Sequence, residues 1–263
     1  MSNIGKIVIV SGLFDDIRSR DFRFLQEAAK LGELRVHLCA GGQPKFSPAE
    51  RKYFLQSNRF VSQVYTQNAD MLPEIEGLQP DMWADVEGAF NQTRRQYCDQ
   101  RGLDYHVVKS DQLGDFPELP PNPPAPDRKK VIVTGSFDWF HSGHIRFFEE
   151  AAGFGNLYVI VGHDANIRLL KGPQHPLLPQ AERLYMAGSI RFVTHALIST
   201  GSGWLDAEPE IERLKPDIYI VNEDGDKGGK RDYCEKAGIE YIVLKRKPAP
   251  GLATRSSTDL RGF

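Results

Sequence analysis

Thr134-Gly-Ser-Phe-Asp-Trp-Phe-His-Ser-Gly-His144 joins the apolar run Lys130–Val133 to the amphipathic stretch Ile145-Arg-Phe-Phe-Glu-Glu-Ala-Ala152. A short β-branched run, a glycine-bearing loop and a helical pattern, in that order, predict strand, turn and helix. The same passage occurs earlier in the chain. Ser11–Leu38 lies over Thr134–Val161 without a gap, and about 12 of the 28 aligned positions are identical. Gly12 meets Gly135, Phe14 meets Phe137, Asp15 meets Asp138, Arg23 meets Arg146, and Glu27-Ala-Ala29 meets Glu150-Ala-Ala152. The match resumes after small insertions. Ala49-Glu-Arg51 pairs with Ala181-Glu-Arg183, Arg59-Phe-Val61 with Arg191-Phe-Val193, and Pro80-Asp81 with Pro216-Asp217. Arg95-Gln-Tyr-Cys98 then pairs with Arg231-Asp-Tyr-Cys234, and Tyr105 with Tyr241. A repeat of this length predicts two copies of one supersecondary plan.

Between the copies runs Phe116-Pro-Glu-Leu-Pro-Pro-Asn-Pro-Pro-Ala-Pro-Asp127, in which six residues are Pro. Proline fixes φ and lacks the N–H, so this stretch is neither helix nor central strand. It reads as a semi-rigid, polyproline-like linker over 116–128, between domains at 1–115 and 129–263.

Within the second copy, Lys130–Val133, Tyr158–Val161, Ala196–Ile198, Ile218–Val221 and Tyr241–Leu244 are short and nearly continuous apolar runs, as expected of strands buried on both faces. Gly143–Ala152, Pro179–Ser189, Asp206–Leu214 and Lys227–Ala237 show helical spacing, with Asp206 as an N-cap and Gly238 as a stop. The alternation predicts an α/β class: two tandem Rossmann-like domains, each a parallel sheet of about five strands flanked by helices. Such sheets bind ligands beyond the carboxyl ends of their strands, which directs attention to the loop after each strand.

Bulk properties narrow the function classes. A formal net charge of -2 gives no global field for nucleic acid or an anionic membrane, so any anion site is local. The N-terminal apolar run is too short for a signal sequence or a membrane span. Three cysteines (Cys39, Cys98 and Cys234), with no Cys-x-x-Cys pair, argue against a disulfide framework or a zinc site. The expectation is a cytoplasmic protein with no metal held by its own side chains.

His141 and His144 fall at a predicted helix N-terminus, where free N–H groups and the helix dipole favour an anion. Gly143 allows a phosphate to approach the backbone, and two imidazoles can donate hydrogen bonds to phosphate oxygens. Lys171, placed on the loop after the second strand, can reach the same crevice. Ser256, Ser257 and Thr258 can cap a helix at Asp259-Leu-Arg261 while offering hydroxyls, and Arg255 suits bidentate phosphate contact. Trp204 reads equally as a stacking surface or a core residue. Asp138 recurs as Asp15 where the histidines are absent, which favours a structural role. His37, His106 and His195, in or beside strand-like runs, read as packing residues.

Thr134–His144 resembles the signature loop of the cytidylyltransferase-like nucleotidyltransferase superfamily, whose hallmark is His-x-Gly-His. The resemblance covers the second copy from about residue 129 to the end. Leu170-Lys-Gly-Pro-Gln-His-Pro176 resembles the Lys-Gly-x-x-x-Pro segment of the ADP-heptose synthase branch. Arg255–Arg261 resembles the late Ser/Thr-rich phosphate motif. The family also includes phosphoethanolamine and glycerol-3-phosphate cytidylyltransferases. The resemblance implies HUP-type domains that transfer AMP or CMP from ATP or CTP to a small phosphorylated acceptor and release pyrophosphate, with Mg²⁺ accompanying the triphosphate. It implies His141, His144 and Lys171 as catalytic. It implies Gly135, Ser136, Phe137, Gly143, Asn222, Asp224, Arg255, Ser256, Ser257 and Thr258 as nucleotide-binding. Asn222-Glu-Asp224 stands where the family often has Gly-Gly-Asp or Gly-Asp-Asp, which leaves base and acceptor open. Other readings are a catalytically inactive nucleotide sensor or assembly protein, and adenylyl transfer to a nucleotide or pantetheine phosphate.

The first copy lacks the chemistry. Arg18, Arg20 and Asp21 stand at the positions of His141, Gly143 and His144, and the late Ser-Ser-Thr motif is missing. A carboxylate at a helix N-terminus repels a triphosphate. The expectation is a degenerate first domain that serves as an intrachain pseudo-dimer partner, with further self-association left open.

Overall fold

The computed structural model describes residues 5–67, 79–89 and 91–261. The chain divides into two compact units, Met1–Phe116 and Pro117–Phe263. In the first, β1 (Ile7–Gly12), α1 (Ser19–Ala29), β2 (Glu33–Cys39), α2 (Pro48–Gln56), β3 (Gln63–Gln67), β4 (Met82–Val86), α3 (Gln92–Arg101) and β5 (Asp104–Val108) follow in order. In the second come β6 (Lys130–Gly135), α4 (Ser142–Phe154), β7 (Asn156–Val161), α5 (Asp164–Lys171), α6 (Gln180–Gly188) and β8 (Val193–Ile198). It closes with α7 (Glu208–Leu214), β9 (Ile218–Asn222), α8 (Lys230–Ala237), β10 (Glu240–Leu244) and α9 (Ser257–Arg261). Each unit is a five-stranded sheet, ordered β3-β2-β1-β4-β5 and β10-β9-β6-β7-β8, with all pairings parallel. Both sheets thus have one α/β Rossmann-like plan. The direction of strand progression reverses between β6 and β9, the switch point where such sheets hold ligands.

The apolar runs become strands because both faces are covered. Val131, Ile132, Val133, Val159, Ile160 and Ile220 are all at most 1% exposed. On one face Ile132, Ile160, Tyr219 and Val221 pack with Leu205, Ala207, Ile211 and Cys234. Gly155 marks where the chain turns from α4 into β7. A Cβ there would stand 2.1 Å from the Lys129 carbonyl oxygen, and at the aligned Gly32 one would stand 2.4 Å from that of Lys6. Close backbone approach, repeated in both copies, explains these shared glycines.

Several boundaries differ from the sequence reading. The proline-rich stretch packs on the second unit instead of standing free as a spacer. Leu119 is buried, and Asn122 donates through its backbone N–H to the Thr194 carbonyl (2.7 Å) and through Nδ2 to that of Val193 (2.7 Å). These bonds cover the otherwise open edge of β8. Asp206 does not cap α7, whose N-cap is Ala207; its carboxylate accepts from Ser199 Oγ at 2.6 Å. α8 begins at Lys230, not Lys227, because Gly228 takes φ 62. Among the described residues, no helix is long and apolar enough to cross a membrane.

The same sheet positions are filled differently in the two units. Ser11 and His37 pair across β1 and β2, where the second unit has Thr134 and Ile160. Burial pushes the His37 imidazole below its ordinary value, the neighbouring Gln67 side chain opposes this, and the nearby Arg94 charge adds to the lowering. The unfolded chain therefore binds the proton first as pH falls, so folding stability declines below about pH 6.5. Urea unfolding of wild type and His37→Gln across pH 7 to 5 checks this. The wild type should lose stability more steeply, by at most about 1.4 kcal/mol per pH unit for one proton; parallel profiles would contradict it.

Candidate active site

β6 delivers the chain to Gly135, and the loop then turns sharply at Phe137, which adopts φ 48. The Phe137 ring folds back under the strand end, so a Cβ on Gly135 would stand 2.8 Å from its Cζ. Phe137 is 5% exposed and packs edge-on to Phe148 and to His144, with centroids at 5.0 and 5.5 Å. Its side chain serves as a wedge. Phe140 stacks on the His144 ring at 5.3 Å, and the His141 and His144 rings stack at 3.9 Å.

The two histidines form a capping box at the start of α4. His141 is the N-cap, and its Nδ1 accepts from Gly143 N–H at 3.1 Å. His144 Nδ1 accepts from His141 N–H at 3.3 Å. Imidazoles thus do the work usually done by a Ser/Thr and a Glu. An Nδ1 that accepts must be unprotonated, so each neutral ring carries its proton on Nε2. Both rings are therefore fixed as Nε2–H donors at the positive end of a 13-residue helix. The need for Gly143 has a nearer cause than phosphate approach: a Cβ there would stand 2.9 Å from His141 Cε1 and Nδ1.

Two buried groups hold this loop in place. Asp138 Oδ1 accepts from the N–H groups of Leu177 (2.8 Å) and Leu178 (2.9 Å), and Oδ2 faces His175 Nδ1 at 3.6 Å. Arg183, fully buried on α6, donates to the carbonyls of Ser136 (2.6 Å), Gly162 (2.8 Å) and Leu178 (2.9 Å) and to Asp164 (2.7 Å). Burial lowers its pKa and Asp164 opposes this, yet a guanidinium stays charged. The first unit repeats both devices. Asp15 accepts from Lys45 N (2.7 Å) and Phe46 N (2.9 Å), and Arg51 donates to the carbonyls of Leu13 and Cys39. Asp138 and Arg183 thus belong to the frame.

Lys171 is not on a loop: it is the last residue of α5, a helix absent from the sequence reading, and Gly172 follows at φ 95. Its Nζ donates to Ser136 Oγ at 2.8 Å, so the lysine lies against the signature loop. At the chain's end, Ser256 caps α9 by accepting from Asp259 N at 3.1 Å. Ser257 Oγ donates to the Trp139 carbonyl at 3.2 Å, and the Arg255 carbonyl lies 3.7 Å from where a Gly143 Cβ would be. Gly135, Ser136, Phe137, His141, Gly143, His144, Lys171, Arg255 and Ser257 are thereby brought together. Ser256 and Thr258 flank Ser257, with Thr258 exposed.

Asn222 closes β9, the neighbour of β6, and leads into a short turn over Glu223–Gly225. Asp224 is joined to the site through Arg246, whose Nη1 lies 2.9 Å from Asp224 Oδ2 and whose Nη2 donates to the Arg255 carbonyl at 3.1 Å. Arg246 escaped the sequence reading, since Lys245-Arg-Lys247 looks like a solvated charge run. Trp204 is 50% exposed and packs over Gly228 and Gly229, where added Cβ atoms would stand 3.5 and 3.2 Å from its ring. Asn166 fixes it by bonding Gly203 N (2.8 Å) and Gly203 O (3.0 Å).

The first unit has the frame with another chemistry. Arg18 caps α1, and its N–H donates to Asp21 Oδ2 at 2.8 Å, so Asp21 stands in for His144. Burial pushes the Asp21 carboxyl up, against the Arg18 N–H and charge. The Arg18 guanidinium is paired with Asp16. An anion is already built into this helix N-terminus.

Among the described residues, no group of three or more His, Cys, Asp or Glu could hold a metal ion. The donors at the second site are imidazole N–H, ammonium and hydroxyl groups. They fit the phosphates of a magnesium–nucleotide complex rather than the ion itself.

The sequence profile of the cytidylyltransferase-like family matches residues 132–262. An FAD synthase of Methanospirillum hungatei is 34% identical over 134 residues, which is 50% of this chain and 82% of that protein. An FAD synthase of Methanocella paludicola is 36% identical over 135 residues, 50% of this chain and 93% of the relative. Among solved structures, the lipopolysaccharide core biosynthesis protein of Thermoplasma volcanium is 25% identical, with a TM-score of 0.39, over 46% of this chain and 98% of that one. The stacked histidine pair at the start of α4, the family profile and the two FAD synthases agree: the chain belongs to the cytidylyltransferase-like family.

Proposed function

We propose that the second unit transfers an adenylyl or cytidylyl group from a nucleoside triphosphate to the phosphate of a small acceptor, and that the first unit has lost this activity. An acceptor phosphate oxygen attacks the α-phosphorus. The new P–O bond forms as the bond to the β-phosphate oxygen breaks, and its electron pair leaves on pyrophosphate. The step needs no covalent enzyme intermediate, so rate comes from positioning and charge stabilisation.

The observation that carries the reading is the fixed pair of Nε2–H donors. His141 and His144 donate to phosphate oxygens as charge builds. Lys171 neutralises the α-phosphate and the acceptor phosphate as they approach. Arg255, Ser256, Ser257 and Thr258 hold the outer phosphates, Gly135, Ser136, Phe137 and Gly143 line the cradle, and Asn222 flanks the base. Mg²⁺ arrives with the triphosphate and offsets its charge.

The FAD synthase relatives favour ATP as donor and FMN as acceptor, since FAD is FMN joined to an adenylyl group through a pyrophosphate linkage. Trp204 supports a planar acceptor, because half its surface is open and glycines back its other face. The test is pyrophosphate release with ATP or CTP and Mg²⁺, crossed with FMN, sugar phosphates and phosphorylated alcohols. ATP with FMN should give acceptor-dependent release and a product of FAD mass. Trp204→Ala should raise the KM for FMN about tenfold, the worth of one lost aromatic stack, with the KM for ATP unchanged. Nucleotide binding with no acceptor-dependent release from any pairing would overturn transfer in favour of a nucleotide sensor.

A further inference from the structure

We infer that Arg246 is a positioning residue: it fastens the C-terminal phosphate-contact motif to the loop after β9 and acts through that motif, not by touching substrate. The inference rests on the role proposed above for Arg255–Thr258. It also gives Asp224 a different task from nucleotide contact, as the anchor of Arg246.

The geometry is a three-point tie. One arm of the guanidinium meets Asp224 Oδ2 at 2.9 Å, the other donates to the Arg255 carbonyl at 3.1 Å, and the Arg246 backbone N–H donates to Glu223 Oε1 at 3.3 Å. The Arg255 carbonyl is also the atom that approaches Gly143 at the start of α4. One carbonyl is therefore held between the guanidinium and the helix that carries the histidines. Residues 252–256, which lead into α9, belong to no helix or strand. A segment without helix or strand bonds of its own is held by the side chains that tie it down. Two of its ties are Arg246 on one side and Ser257 Oγ to the Trp139 carbonyl on the other.

The two arms of the guanidinium hold the carboxylate and the carbonyl in one fixed plane, a geometry that the flexible point-charge ammonium of lysine does not reproduce, so lysine is a poor substitute. The ion pair alone contributes little, because its side chains are 36% and 56% exposed. What Arg246 supplies is the fixed place of the Arg255 carbonyl. Asp224 supplies the fixed place of Arg246.

The experiment uses the full chain with Arg246→Gln, Arg246→Lys, Asp224→Asn and the Gln/Asn double variant. Amide hydrogen exchange over residues 255–260, read by mass spectrometry without ligand, should quicken about tenfold in each single variant, the worth of one charge-assisted hydrogen bond. The KM for ATP should rise by a similar factor with kcat within about twofold, and the double variant should be no worse than Arg246→Gln, since both act on one tie. Unchanged melting temperature confirms that the effect is local. Two results would overturn the inference. One is a fall in kcat at unchanged KM and unchanged exchange in Arg246→Gln, which marks direct contact with the reacting phosphates. The other is an Asp224→Asn variant with wild-type exchange. The exchange arm needs no turnover, so it decides the tie even if the wild type transfers nothing to any acceptor.

Discussion

His144→Ala lowers kcat for nucleotidyl transfer by about 10²–10³-fold, the usual cost of removing one preorganised donor to developing charge. Its ring is immobilised by the His141 N–H bond at Nδ1 and by stacking on His141 and Phe140. It therefore needs no reorganisation when charge appears on the phosphate. The loss should fall on kcat, with the KM for the triphosphate changed only a few-fold, because the donor is used most in the transition state. His141→Ala carries the same loss together with a second one. His141 also caps α4, and removing an N-cap costs about 1 kcal/mol of stability. A steady-state assay of pyrophosphate release, with thermal unfolding in parallel, separates the two. A His144→Ala variant within tenfold of wild type would remove the histidine from the chemistry.

Arg183→Met destabilises the second unit by about 3–5 kcal/mol, the range for breaking a buried charged network by removing one partner. The substitution leaves the carbonyls of Ser136, Gly162 and Leu178 without a shared donor and strands Asp164 at the edge of the core. Methionine fills much of the volume, so the loss reports polar bonding, not a cavity. Trp83 lies in the first unit and Trp139 and Trp204 in the second, so tryptophan substitutions allow urea unfolding of each unit to be followed by fluorescence. The second transition should move and the first should stay. A shift below about 1 kcal/mol would show that water replaces the guanidinium at little cost.

The strands were legible because Val, Ile and Leu ran without interruption, and parallel strands covered on both faces need that pattern. The repeat was more informative still. It separated Asp138 and Arg183, which recur as Asp15 and Arg51 and hold the frame in both units, from His141 and His144, which do not recur. Other features left no trace in composition. α5 is amphipathic but only eight residues long and runs straight into Gly172-Pro173, so its spacing is too brief to read as a helix; its signals were His163 at the N-cap and Gly172 at the stop. The proline-rich stretch reads as a spacer from chemistry alone, and its docking depends on Leu119 and Asn122 finding the β8 edge. Arg246 could not be told from its basic neighbours, because its importance lies in two acceptors distant in sequence. Gly143 was recognised for phosphate approach, whereas the ring that crowds it belongs to its own neighbour, His141.

The most direct test of the central claim compares matched substitutions at equivalent positions of the two units. Acceptor-dependent pyrophosphate release is measured for the full chain, for His141→Ala and for Arg18→Ala, with ATP, Mg²⁺ and FMN. Activity that falls at least a hundredfold in His141→Ala and stays within about twofold of wild type in Arg18→Ala is the predicted result. Activity that survives His141→Ala, or that falls in Arg18→Ala, would place the chemistry elsewhere than the histidine pair of the second unit.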